Sequence, residues 1–315
     1  MKERWPDELM QRLRDLLIEL HRRRAQGESD RIRHSTGGMV DIAHSARGSE
    51  NLGAQEVRAA MSEGGIESSV SAPPRTRTPL TDLSHMPPLG EVVDGALRGD
   101  LDDLELTRVF GGLRQRYGPF RLEDANAWYE PVSTRPDGTV RPEGVGFEAR
   151  IVDDNGANAG IVIYGFGRDS DGELVVTNDL TELNENFRGK GFSTAFSAST
   201  EEYFRRSGVD RMLVTASMRD GGVAWAKAGY DWDLEPTRLA KTVERMQSRI
   251  DEVLEGEEGF LSAADIAVLR DIRARFDGPV VGFPSPQELV LLAGDDPKLG
   301  EKLMRGSYWH GMKKL

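Results

Sequence analysis

Residues 183–193 read LNENFRGKGFS and lie between a stretch typical of a strand and a stretch typical of a helix. Gly189 and Gly191 allow a tight backbone turn that presents several N–H groups in one direction. The positive end of the helix dipole and the cations Arg188 and Lys190 add attraction for an anion there. The stretch therefore predicts a phosphate-binding turn suited to a pyrophosphate, although its spacing is neither GxGxxG nor GxxxxGKS/T. The alternative is an ordinary basic turn in contact with solvent.

Four apolar stretches upstream of this turn predict strands that are separated by turn dipeptides. Asn155-Gly156 and Asp171-Gly172 are strong hairpin signals, and Asp137-Gly138 precedes them in the same kind of context. Three such signals in succession predict an antiparallel meander of four strands. The predicted strands are Trp128–Val132, Phe147–Val152, Ile161–Phe166 and Leu174–Leu183.

After the turn the pattern changes to an alternation of helices and strands. In chain order, the predicted elements are a helix at Thr194–Arg206, a strand at Arg211–Ser217, a short helix at Val223–Ala228 and an extended segment at Tyr230–Leu234. An apolar strand that follows a helix predicts a parallel step beside Leu174–Leu183. The expected fold class is therefore α/β, with a mixed sheet in which an antiparallel meander is followed by a β-α-β-α-β unit.

The composition divides the chain into four segments. Residues 1–27 carry leucines at helical spacing and predict an amphipathic helix, which needs either the body of the protein or another chain as a partner. Residues 28–90 are rich in Gly, Ser, Pro and Thr and predict a flexible low-complexity linker. Residues 91–235 predict the globular α/β domain, and residues 236–315 predict a helical C-terminal extension.

The composition also excludes several kinds of chemistry. The chain has 315 residues, no cysteine and a formal net charge of −12. Disulfides, thiolate nucleophiles and cysteine-bound zinc are therefore excluded, and the negative charge disfavours nucleic acid and anionic membranes as partners. No histidine occurs between residues 86 and 309, so chemistry in that stretch runs without imidazole and no metal site is expected. The lack of an apolar run of about 18–20 residues and of a signal-peptide pattern predicts a cytoplasmic protein.

The turn and its surroundings resemble the GCN5-related N-acetyltransferase family. Residues 188–193, RGKGFS, are similar to the family's acetyl-CoA signature, Arg/Gln-x-x-Gly-x-Gly/Ala. Leu183 lies five residues before Arg188, where the family commonly has an apolar residue, and residues 225–230, WAKAGY, correspond to its Tyr-x-Lys-x-Gly-Phe. The resemblance covers roughly residues 120–235. The surrounding sequence looks like the divergent acetyltransferase-like modules of actinobacterial and phage multidomain proteins.

This resemblance implies an acetyl-CoA-dependent N-acyltransferase in which an amine attacks the thioester carbonyl directly. Backbone N–H groups on the splayed edge of the family's fourth strand would stabilise the oxyanion. Because the domain lacks histidine and cysteine, the general base is expected to be a carboxylate. The candidate bases, in order, are Glu182, Asp179 and Glu148, and for each the alternative is an ordinary exposed carboxylate. The residues implied to bind acetyl-CoA are Leu183, Arg188, Gly189, Lys190, Gly191, Phe192, Ser193 and Trp225.

Two residues depart from the family pattern. Ser193 replaces the usual glycine or alanine, which the turn tolerates because serine is small. Trp225 stands where many members carry a tyrosine that protonates the leaving thiolate, and an indole is no general acid. The loss of that proton donor would lower the rate by about 10²–10⁴-fold. Trp225 thus favours an alternative function, in which the module keeps the fold without catalysis and serves binding or assembly in a phage or actinobacterial multidomain system.

The distribution of charge indicates which acceptor to expect. Residues 1–80 carry 13 basic and 12 acidic side chains, so a net charge of −13 lies on residues 81–315. An acidic surface favours a cationic amine, either a small molecule such as a polyamine or an aminoglycoside, or a lysine or N-terminal amine of a protein or peptide.

Overall fold

The computed structural model describes residues 80–134, 140–216, 220–256 and 261–315. The helix predicted for residues 1–27 and most of the linker predicted for residues 28–90 lie outside the described residues. The helices are α1 (Leu89–Leu97), α2 (Asp103–Phe110), α3 (Phe192–Arg206), α4 (Gly221–Lys227), α5 (Pro236–Gly256), α6 (Ala263–Arg275), α7 (Pro286–Val290) and α8 (Leu299–Met304). The strands are β1 (Arg116–Tyr117), β2 (Phe120–Glu130), β3 (Ser133–Thr134), β4 (Val140–Arg141), β5 (Gly144–Asp153), β6 (Asn158–Arg168), β7 (Leu174–Leu183), β8 (Arg211–Ala216), β9 (Asp231–Trp232) and β10 (Trp309–Lys314).

An eight-stranded sheet runs through the described chain in the order β1-β2-β5-β6-β7-β8-β10-β9, and β3 pairs with β4 in a separate hairpin. The predicted meander is confirmed, because β2, β5, β6 and β7 pair in succession and antiparallel. The predicted parallel step is confirmed between β7 and β8. Gly156 and Gly172, with φ of +78° and +81°, form the turns on either side of β6, where a residue with a Cβ would be strained. The fold is therefore mixed α/β.

Strand β2 begins earlier than the sequence predicts. The prediction was Trp128–Val132, whereas the strand covers Phe120–Glu130. A bulge interrupts its pairing with β5 between Glu123 and Asn126, and Asp124 has a φ of 51°. The bulge interrupts the alternation of buried and less buried residues at 124–126, so the two halves of the strand do not share one continuous period.

The helical prediction for residues 236–315 is wrong at residues 309–314. Helices α5 to α8 are present, but residues 309–314 form β10, which lies between β8 and β9 and is antiparallel to both. The Trp309 side chain is fully buried. The extended segment predicted at Tyr230–Leu234 shrinks to β9, which pairs with β10 and not with β8. These pairings join residues far apart in sequence, so no local pattern predicts them.

The predicted linker ends before residue 90. Leu83 and Met86 are buried, and α1 begins at Leu89. The Thr81 N–H donates to Ser199 Oγ of α3 at 2.9 Å. The last residues of the predicted linker therefore pack on the helix that follows the glycine turn, because a few large apolar side chains among prolines suffice to anchor a short segment.

One face of the meander is packed with aromatic rings against helices. The ring of Phe110 from α2 lies 4.9 Å from Phe166 and 5.6 Å from Phe147, between centroids. The Tyr164 ring lies 5.9 Å from Phe196 of α3. These contacts place the core between the middle strands and the helices α2 and α3.

The opposite face of the meander is shaped by glycines. Gly146 of β5 pairs with Gly165 of β6, and a Cβ on either would overlap the side chain that lies over it. Gly146 makes room for the Trp128 indole, and Gly165 makes room for the Arg141 guanidinium. This face therefore holds an aromatic ring and a cation close against the backbone.

Within the described ranges, each helix is too short or too polar to span a lipid bilayer.

Candidate functional site

The turn after β7 has the backbone shape that its glycines predict. Gly189 and Gly191 have φ of +71° and +89°. Apart from the adjoining residues, no atom of the described chain lies within 4 Å of a Cβ built on either glycine. Helix α3 begins at Phe192, and among the described residues no side chain caps its N-terminus. The first N–H groups of α3 therefore keep their donor capacity at the positive end of the dipole, where an anion is favoured.

The guanidinium of Arg188 holds this turn against the end of β7. Its Nε donates to the Leu183 carbonyl oxygen at 2.9 Å, and its Nη1 lies 3.6 Å from Oδ2 of Asp220. Asp220 directly precedes α4, and its Oδ1 lies 3.2 Å from Nε of Arg305. The arginine expected to meet a phosphate thus positions the turn and already has a carboxylate partner.

The other residues predicted to bind acetyl-CoA divide into buried and exposed ones. Phe192 is fully buried, and its ring stacks on Phe196 at 5.2 Å between centroids, so it anchors α3 in the core. Lys190 and Ser193 are exposed, and Lys190 Nζ lies 5.1 Å from the centre of the Phe187 ring. The exposed residues border the turn, whereas Phe192 supports it from below.

Strands β7 and β8 part before either of them ends. Their last paired residues are Asn178 and Val214. Beyond that pair, β7 continues to Leu183 against β6, and β8 continues to Ala216 against β10, with no further β7–β8 pair among the described residues. The two strands are therefore no longer paired beyond Asn178 and Val214, and we call the space between these strand ends the cleft. Its β7 side leads directly into the glycine turn.

A bulge marks the point where the cleft begins. On β6, Tyr164 pairs with Asn178 and Ile163 pairs with Leu180, so Asp179 is the extra residue of a bulge. The Asn178 side chain is buried, and its Nδ2 donates to the Tyr164 hydroxyl at 2.9 Å and to Thr181 Oγ1 at 2.8 Å. Burial raises the pKa of Tyr164, which keeps this phenol neutral. The bulge is therefore spanned by a buried network of neutral hydrogen bonds.

The carboxylate of Asp179 lies in an ion pair. Its Oδ2 lies 2.8 Å from Nη1 of Arg141, whose Nη2 lies 3.0 Å from Oε2 of Glu130. The three side chains are only 12–15% exposed. The ion pair engages the Asp179 carboxylate with the guanidinium and leaves it directed at Arg141. This contact argues against Asp179 as a general base.

No family model and no curated protein matches the chain. Among solved structures, a nourseothricin acetyltransferase is similar at 17% identity, over 38% of this chain and 77% of that chain, with a TM-score of 0.23.

Trp225 lies on α4, the helix whose N-terminal side carries Asp220. The indole is half-buried, and its ring meets the Tyr230 ring edge-on at 5.1 Å between centroids. The Tyr230 hydroxyl is buried 3.7 Å from the sulfur of Met212, and burial raises the pKa of that phenol well above its ordinary range. Trp225 therefore packs against a second aromatic ring, and the Tyr230 hydroxyl beside it is buried against Met212.

The two glutamates among the candidate bases lie on the sheet face opposite the aromatic core. Glu182 of β7 pairs with Ile161, and Glu148 of β5 pairs with Ile163, so the alternation along β6 places both on one face. Both side chains are half-buried. Glu182 is the next-to-last residue of β7 and lies beside the cleft. Glu148 lies on β5, two strands away. The geometry favours Glu182.

A histidine reaches β8 from the C-terminal strand. His310 is 3% exposed and pairs with Thr215, whose Oγ1 lies 3.3 Å from His310 Nδ1. The His310 N–H donates to Thr242 Oγ1 at 3.0 Å, which ties the strand to α5.

No group of three His, Cys, Asp or Glu side chains among the described residues is placed to hold a metal.

The sequence prediction missed Arg141, Asn178 and Thr181. A signal for Arg141 was present, because a glycine inside a strand, here Gly165, marks a close approach by another group. That signal does not say which group approaches. Asn178 was hidden because a bulge changes which face each residue occupies, and a single sequence does not locate a bulge.

Proposed function

We propose that this chain is an acetyl-CoA-dependent N-acyltransferase. One observation carries the proposal: the cleft between β7 and β8 opens at the same strand end as the glycine turn that favours an anion. An acyl-coenzyme A has a pyrophosphate joined to an extended amide-bearing arm that ends in a thioester. Those two parts match a turn rich in N–H donors and a pair of strand edges with unused backbone groups.

The residues present fit such a ligand. Neither Gly189 nor Gly191 has a side chain to fill the space over the turn, and no described atom occupies the position of a Cβ there. Lys190 is exposed beside the turn and supplies a positive charge. The N–H groups at the start of α3 supply the directional donors.

Acetyl-CoA supplies an acetyl group activated as a thioester. Transfer of that group to an amine requires a hydrogen-bond donor to the thioester carbonyl and an acceptor for the amine proton. The backbone of β7 beyond Asn178 has no β8 partner among the described residues and offers N–H donors along the cleft. We assign proton acceptance to Glu182, because it lies on the end of β7 that borders the cleft. The acidic balance of residues 81–315 supports a cationic amine as the acceptor.

Calorimetry with acetyl-CoA tests the proposal. We expect micromolar binding to the full chain and loss of binding in Gly191→Asp, since the new carboxylate would repel the pyrophosphate and a Cβ would obstruct it. Gly172→Asp is the matched control, because Gly172 also has a positive φ and open surroundings but lies before β7, at the other end of the strand. Undetectable binding by the wild type at millimolar acetyl-CoA would overturn the proposal.

A binding or assembly module without catalysis is the second candidate, and Trp225 is the observation that favours it. The indole has no proton to give a thiolate at neutral pH, and the neighbouring Tyr230 hydroxyl is buried against Met212. Binding of acetyl-CoA without CoA release across a panel of polyamines, aminoglycosides and lysine peptides would support this second function.

A further inference from the structure

The bulge in β7 is held from both faces of the sheet. On the sheet face that packs its aromatic rings against α2 and α3, the Asn178 side chain forms hydrogen bonds with Tyr164 and Thr181. On the opposite face, which carries Gly146 and Gly165, the Asp179 side chain extends to Arg141, and the Arg141 guanidinium lies over Gly165. The bulge residue is thus pinned by an arginine that comes from β4, outside the eight-stranded sheet.

We propose that Arg141 is a positioning residue for acyl transfer, which fixes the course of β7 where that strand parts from β8. The proposal rests on the proposed function. Arg141 does not touch the cleft backbone itself; it acts through the Asp179 carboxylate, 2.8 Å away. A mobile bulge would scatter the directions of the N–H groups on Asp179–Leu183, and a donor that stabilises a developing oxyanion must be held in place.

The contacts of Arg141 with Glu130 and Asp179 suit a rigid support of the bulge, which we call the clamp. Arg141 is 14% exposed and contacts Glu130 and Asp179 through two different nitrogens of one planar group. Glu130 ends β2 and Asp179 lies on β7, so the guanidinium spans two strands that are separated by β5 and β6. Lysine would present a point charge instead of a planar fork and would not span both carboxylates as well. Gly165 is required beneath, because a Cβ there would overlap the guanidinium.

Hydrogen exchange of the ligand-free protein is the direct test. In Arg141→Gln we expect those amides of Leu180–Leu183 that bond to β6 to exchange about tenfold faster, with the β2–β5 amides distant from Glu130 unchanged. Asp179→Asn should have the same effect, and the double variant should be no faster than Arg141→Gln alone, because both substitutions remove the contact between Arg141 and Asp179. Arg150→Gln is the matched control: it removes another arginine of the sheet, paired with Glu123 and Asp124, and should leave Leu180–Leu183 unchanged.

Turnover adds a second readout on the same variants. If acyl transfer occurs, Arg141→Gln should lower kcat by about tenfold or more, with Arg141→Lys in between and Arg150→Gln at the wild-type value. Unchanged exchange at Leu180–Leu183 in both Arg141→Gln and Asp179→Asn would overturn the clamp, as would equal acceleration across the whole sheet. Should Arg141→Gln fail to fold, Arg141→Lys and Asp179→Asn decide the question. The exchange result needs no acetyl-CoA, so failure of the wild type to bind it overturns the proposed function and not the clamp.

Discussion

The Asp220 carboxylate lies 3.6 Å from the Arg188 guanidinium, which also donates to the carbonyl oxygen of Leu183. The arginine of the proposed phosphate turn is therefore neutralised in part by the chain itself. A bound pyrophosphate would have to share this guanidinium with Asp220, or displace that carboxylate towards Arg305.

Asp220→Asn should raise the affinity for acetyl-CoA. Both side chains are partly exposed, so the ion pair contributes at most about 1 kcal/mol, and we expect roughly a two- to fivefold lower Kd. Calorimetry at constant ionic strength measures the change. Asp154→Asn is the control, since it removes the same charge from a carboxylate of similar exposure, which is paired with Arg116. Equal effects of the two substitutions would mean that only net charge matters.

Substitutions of Trp225 distinguish a role in packing against Tyr230 from a role in acyl transfer. Trp225→Ala removes a half-buried ring that meets Tyr230 edge-on and should cost about 2 kcal/mol, less than the 3–5 of a fully buried aromatic residue. Trp225→Tyr should keep most of the stability and raise CoA release if a proton donor limits the rate. Urea unfolding and a thiol assay measure the two effects. An unchanged rate of CoA release and unchanged stability in Trp225→Ala would remove this residue from the site.

Trp309→Ala should destabilise the protein more than any substitution at the turn. The ring is fully buried and meets Trp232 edge-on at 5.2 Å, so its loss should cost about 3–5 kcal/mol. Because β10 joins β9 to β8, we also expect lower cooperativity of urea unfolding. A cost below about 1 kcal/mol would contradict the position of β10 inside the sheet.

The ion pair between Asp94 and Arg168 predicts a dependence of stability on acidity. Hydrogen bonds of 2.6 and 2.9 Å from Arg168 hold the pKa of Asp94 below its ordinary value of 3.8. A carboxyl with a lower pKa in the folded state stabilises folding above pH 3.8 and loses that contribution as the pH falls through the lowered pKa. Since both side chains are about one third exposed, the contribution is at most about 1 kcal/mol. The Tm difference between wild type and Asp94→Asn should therefore be constant above about pH 5 and shrink below pH 3.8; a difference that persists at about pH 2 would contradict this.

Local signals predicted most of the sheet. The dipeptides ending in Gly156 and Gly172 fixed the hairpins, because a positive φ favours glycine whatever the distant surroundings are. The turn at Gly189 and Gly191 was predicted for the same reason. The bounds Leu174–Leu183 agree with the structure because that strand has a turn at each end.

Contacts between distant segments were not predicted. Arg141 meets Asp179, and Trp309 lies beside Ala216, through pairings that no window of the sequence contains. Asp179 was a candidate base because its position at a strand end was visible, whereas its arginine partner was not. The charge state of a carboxylate depends on its neighbours in space, so chemistry is predicted less well than secondary structure.

The position of β10 has a consequence for the order in which this protein folds during synthesis. The meander, β8 and β9 leave the ribosome before β10, and the whole of α5 to α8 is made between them. Until β10 arrives, β8 has an open edge and β9 has no strand to pair with in the described sheet. A nascent or prematurely terminated chain would thus expose a site for strand addition by another nascent chain. Chaperone demand should accordingly be greatest while α5 to α8 are being translated.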